Sequence, residues 1–60
     1  MKCYTKKELI KELKKEEKNL LQLFQYEKKN MFVRYICSRC NCRVTSAEYI
    51  YRKLQKYGKL

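Results

Sequence analysis

The sequence predicts a small α+β fold: a long N-terminal helix, a β-hairpin carrying a cysteine cluster, and a C-terminal helix. Three observations predict it. Thr5-Lys6-Lys7-Glu8 has the form of a helix capping box and leads into a helical stripe of leucines. Met31 to Ile36 is dense in aromatic and β-branched residues, as a strand is, and runs straight into Cys37-Ser38-Arg39-Cys40. Thr45-Ser46-Ala47-Glu48 repeats the capping-box form ahead of a second stripe that stops at Gly58.

The first helix is expected over 5–30. Thr5 can accept from the backbone N–H of Glu8 while Glu8 reaches back, and Tyr4 can staple to Leu9. Its apolar positions are Leu9, Ile10, Leu13, Leu20, Leu21, Leu23 and Phe24, continuing toward Met31. Lys14 to Asn19 interrupts that stripe. Lys and Glu are good helix formers and no breaker is present, so a continuous helix with a solvated middle is the favoured reading. The other is a break, with Asn19 capping a new helix and Gln22 as its partner. Asn30 suits a helix end because Asn tolerates the left-handed conformation.

A β-hairpin follows over 31–44. Val33 and Tyr35 fall on one face of the first strand, with Phe32, Arg34 and Ile36 on the other, and Cys42-Arg43-Val44 returns as a short second strand. The closing helix is expected over 46–57, with Val44 and Tyr49 as its staple. Its buried face is Ala47, Ile50, Leu54 and Tyr57, with Tyr51 alongside. The whole chain, 1–60, makes one domain. At sixty residues it buries only about 60% of its unfolded surface, so a metal, a disulfide or a second chain is expected to staple it.

Composition excludes much chemistry. The chain has no His, Asp, Trp or Pro, and its six acids are all Glu. A Ser-His-Asp arrangement is impossible, as is a His-assisted cysteine nucleophile. The expected protein is therefore a binding module and not an enzyme. No stretch resembles a signal peptide or reaches the length of a membrane span, so a cytoplasmic, intracellular protein without a membrane partner is expected. In that compartment closely spaced cysteines point to metal or redox chemistry more than to structural disulfides.

Cys37 and Cys40 form a C-x2-C pair. Its spacing lets two thiolates converge on one tetrahedral ion, and Asn41 after it can take the left-handed turn conformation. Strand, knuckle, return strand and helix is the layout of a zinc ribbon or treble clef, so a single Zn2+ is the expected cofactor. A structural zinc site takes four ligands, and Cys42 and Cys3 are the remaining candidates. A continuous helix from Lys6 to Asn30 is about 37 Å long at 1.5 Å per residue. The return from Met31 to Cys37 covers about 23 Å as a strand. Cys3 therefore closes the site only if the chain bends within Lys14–Asn19; otherwise two chains share the ion or the site is incomplete. Three other roles stand beside zinc: buried thiols packing as small apolar groups, a redox pair, or a disulfide.

The formal net charge is +10, which favours an anionic partner. All four arginines lie in the second half of the chain, with the cysteine cluster. On the closing helix Tyr49, Arg52, Lys53 and Lys56 share one face opposite the apolar stripe. Arg34, Arg39 and Arg43 add charge on the strands and the knuckle. Cations can pair with phosphates, and Tyr35 or Tyr49 can stack on a base.

Tyr35-Ile36-Cys37-Ser38-Arg39-Cys40, then Arg43-Val44, then Tyr49, Tyr51, Lys53 and Leu54, resemble the C-terminal half of the sigma-factor inhibitor Gin. The likeness covers about 31–56 and implies zinc at Cys37 and Cys40 and inhibition of a transcription factor. The family's upstream C-x2-C pair is missing; leucines, Phe24 and Tyr26 stand there instead. The leading expectation is a basic, zinc-stabilised, nucleic-acid-binding regulator of transcription, of a kind suited to a phage, virus or mobile element. The alternative is a protein-binding inhibitor of the transcription machinery. In that case the N-terminal helix is the docking or homodimer surface.

Overall fold

Helix α1 (Lys6–Leu13) opens the fold, and a 3₁₀ turn (Lys14–Glu16) joins it to α2 (Glu17–Tyr26). Helices α3 (Lys29–Arg39) and α4 (Val44–Tyr57) follow. A computed structural model of the chain describes residues 3–60, and every regular element among them is helical. Since α1, the turn and α2 are one interrupted run, the architecture is three helical segments around a single core. The expected α+β fold and its hairpin are thereby overturned.

The first capping box forms as the residues dictate. Thr5 Oγ1 accepts from the Glu8 N–H at 3.2 Å, and Glu8 Oε1 accepts from the Thr5 N–H at 3.0 Å. The run then loosens where the apolar stripe is missing. Lys14 to Glu16 wind as a 3₁₀ turn, and Glu16 leaves the helical region at φ −127°, ψ 37°. Neither sequence reading describes this fully. The helix is interrupted within the Lys/Glu run, yet α2 restarts at Glu17 and Asn19 caps nothing.

The run ends at Tyr26, four residues before the expected stop. Glu27 and Lys28 are extended, and Lys28 precedes α3 as its cap, so Asn30 lies inside a helix. Met31 to Ile36 is α3 and not a strand. Read at helical period, Phe32, Val33, Ile36 and Cys40 form one apolar stripe, and all four are buried. A three-residue return strand could not have paired the backbone of a six-residue partner, and a lone hairpin is marginal in water. A helix satisfies its own backbone and still buries the same side chains.

Arg39 meets Glu12 and Glu16, and Tyr35 meets Glu16, so α3 runs antiparallel to the first segment. Cys40–Arg43 then links α3 to α4. Helix α4 begins at Val44, two residues early, and no side chain caps it, so the second capping box does not form. Asn41 is not left-handed either; Gly58 (φ 72°) has the only positive φ among the described residues. Gly58 ends α4 as expected, donating to the Leu54 carbonyl.

Leu9, Leu13 and Leu20 meet Phe32, Ile36, Ala47, Ile50 and Leu54 in the core. Phe24, Phe32 and Tyr51 pack as an aromatic trio with centroids 4.9–6.0 Å apart. Edge and tilted contacts of this kind add to the area they bury. Tyr57, expected inside, is 58% exposed. No helix among the described residues is long and apolar enough to cross a membrane.

Candidate functional site

The four cysteines gather at one end of the fold. Cys37 lies in the last turn of α3, Cys40 caps that helix, and Cys42 lies in the link to α4. The C-x2-C pair therefore sits at a helix C-terminus, not on the predicted hairpin knuckle. The Tyr4 N–H donates to the Asn41 carbonyl at 2.7 Å, which brings Cys3 to the same link. The interruption of the first run at Lys14–Glu16, its early stop at Tyr26 and the antiparallel return of α3 together achieve this.

Cys42 is the hub of the group. Burial, foremost, pushes its pKa up to about 11. The charge of the Cys37 thiol and a hydrogen bond to it add to the rise, followed by the charges of Cys40 and Cys3. Cys40 is 2% exposed, and burial raises its pKa too, against the lowering effect of Arg39. A low-dielectric surrounding disfavours thiolates, so these two thiols are neutral near neutrality. All four cysteines are free thiols. As they stand, no three Cys or Glu side chains among the described residues are arranged to hold an ion. A shared ion requires thiol side chains to rotate toward one another.

The basic residues separate into four places. Tyr49, Arg52, Lys53 and Lys56, which the sequence put on one face, line a shallow depression of about 280 Å³ together with Tyr57. Lys6 of α1 lies above the Tyr49 ring, its Nζ 4.8 Å from the centroid. Arg34 belongs to a different depression, beside Lys29, Val44 and Glu48. Arg43 is exposed just before α4.

Arg39 is held away from α4. Its guanidinium lies 3.7 Å from Glu12 and 3.5 Å from Glu16, and Glu16 foremost raises its pKa. Tyr35 is committed as well: its hydroxyl donates to Glu16 at 3.1 Å. Its pKa is raised, first by burial and then by that bond.

Three further glutamates also have work elsewhere. Glu8 closes the first cap, Glu17 accepts from the Leu60 N–H at 2.9 Å, and Glu48 faces Lys29 at 3.6 Å. Among the described residues, no carboxylate side chain lines the depression on α4. One lining residue, Tyr57, and one neighbour of the depression, Lys6, lie outside the basic face that the sequence predicts. Lys6 arrives through a contact between the first and last helices, which no local pattern signals. The apolar stripe places Tyr57 in the core, although Tyr49, Lys53 and Tyr57 at i, i+4 and i+8 mark one line along the helix.

No protein-family model matches this chain, and no curated protein or solved structure matches it.

Proposed function

We propose that this chain is a small basic module that binds nucleic acid through α4, acting inside the cell in transcription control as a binder and not an enzyme. One observation carries the reading: the cations of α4 line a depression without a carboxylate among the described residues, while Glu12, Glu16, Glu17 and Glu48 are engaged elsewhere. Cations left uncompensated by their own fold are available to phosphates.

The test is salt. Binding to a labelled oligonucleotide weakens steeply as salt rises, and Arg52→Ala with Lys53→Ala weakens it at every salt concentration. Binding unaltered by salt, or by the two substitutions, overturns the reading.

The thiol cluster is proposed as a zinc site formed by Cys3, Cys37, Cys40 and Cys42. Support comes from the Tyr4–Asn41 bond, which brings the N-terminal thiol to the other three. Its role would be to clip the N-terminus onto the α3–α4 link, which suits a chain with so small a core. Native mass spectrometry decides it: a metal-free chain with four alkylatable thiols ends the proposal. One ion in a dimer would mean that two chains share it. The alternative, a protein-binding inhibitor that docks or dimerises through its first helix, is less well supported. Leu9, Leu13 and Leu20 are fully buried in the chain's own core.

A further inference from the structure

We infer that the depression on α4 takes an unstacked base together with its flanking phosphates, so that the ligand is single-stranded nucleic acid in preference to duplex. The inference rests on the nucleic-acid reading above and goes beyond it by naming the form of the strand.

The two aromatic rings of the site are not equivalent. Lys6 covers Tyr49, whereas Tyr57 stands 58% exposed, with Lys56 Nζ 5.3 Å from its ring centroid. An exposed ring among cations gains nothing for the core, since its apolar surface stays in water. It offers instead a face on which a base can stack while the neighbouring cations meet phosphates.

The hollow also has a continuation. A second depression, about 340 Å³, shares Tyr49, Lys53 and Tyr57 and adds Lys59 and Leu60. Two hollows thus share the Tyr57 side chain, as two successive nucleotides along a strand would require. A duplex keeps its base faces stacked against one another, so it could offer this ring only sugar and phosphate edges. A surface evolved for duplex backbone alone needs the cations but has no use for an open ring between two hollows.

The test uses the whole chain and four probes of equal length at one salt concentration: oligo-dT, oligo-rU, an abasic strand and a DNA duplex. The abasic strand keeps the phosphates and lacks the bases. Oligo-dT and oligo-rU are expected to bind about tenfold more tightly than the abasic strand or the duplex, the size of one base–aromatic stack. Tyr57→Ala removes that advantage, while Tyr57→Phe retains it. Because Tyr57 lies outside the core, both variants keep the helical circular dichroism of the parent. Equal affinity for the abasic strand or the duplex, or an unaltered Tyr57→Ala, overturns the inference while leaving the basic-face reading intact. No binding to any of the four probes overturns both.

Discussion

The backbone N–H of Tyr4 donates to the carbonyl oxygen of Asn41 across 2.7 Å. This bond joins the residue before the first helix cap to the link between α3 and α4. It brings the chain's N-terminal thiol to the end of the fold that carries the other three, and Lys6 over the Tyr49 ring ties the first helix to the last. Its geometry depends on how α1 begins, and that start is set by Thr5 and Glu8.

Thr5→Ala is therefore expected to cost about 1 kcal/mol, the usual value of a lost N-cap. Urea denaturation followed by circular dichroism measures it, and Thr5→Ser should recover most of the loss. A Thr5→Ala chain as stable as the parent would mean that the Thr5–Glu8 box contributes nothing.

Arg39 and Lys53 should behave oppositely although both are cations. Arg39 faces Glu12 and Glu16, so Arg39→Ala is expected to leave oligonucleotide affinity unchanged. Lys53 lines the depression on α4, so Lys53→Ala should weaken binding and lower the salt slope by about one. Fluorescence anisotropy over a salt series separates them; equal losses would place Arg39 on the binding surface.

In the metal-free chain, alkylation near neutral pH should reach Cys3 first. Cys3 is exposed, Cys40 is buried, and Cys42 is held neutral by a pKa of about 11. Zinc should protect all four thiols. Because the folded pKa of Cys42 lies above the ordinary thiol value, its stabilising effect is complete below the thiol range. It is lost as pH rises through about 11. Stability of the parent should thus fall more steeply above the thiol range than that of Cys42→Ser. Mass spectrometry after timed alkylation checks the order, and Cys42 reacting as fast as Cys3 would sink it.

Gly58→Ala probes the end of α4 without disturbing packing. A Cβ there meets nothing within 4 Å, yet φ is 72°. The cost should be that of the left-handed backbone alone, about 1–2 kcal/mol. Gly58→Asn should cost less. A neutral Gly58→Ala would mean that the last turn refolds around the substitution.

The sequence by itself determined the local and the cumulative features of this protein. The Thr5–Glu8 cap, the Gly58 stop, the apolar face of the last helix at Ala47, Ile50 and Leu54, and the basic line opposite it all rest on neighbours within a turn or two. Net charge and the absence of His and Asp needed only counting. Tertiary structure decided the rest. Met31 to Ile36 fits two periods, and the choice between them lay with its partners: no adequate strand existed to pair with, whereas α2 and α4 offered apolar faces to a helix. The turn at Glu27–Lys28 carries no breaker residue to announce it; the chain reverses there and packs Leu20 and Phe24 against Phe32. Arg39 reads as a free cation until Glu12 and Glu16, nearly two dozen residues and more upstream, are set beside it. The sequence leaves Cys3 dependent on a bend within Lys14–Asn19; the packed chain interrupts its first run at Lys14–Glu16 and runs α3 back so that Asn41 lies beside Tyr4. Burial and charge pairing between distant segments are properties of the packed chain, and short-range patterns carry no record of them.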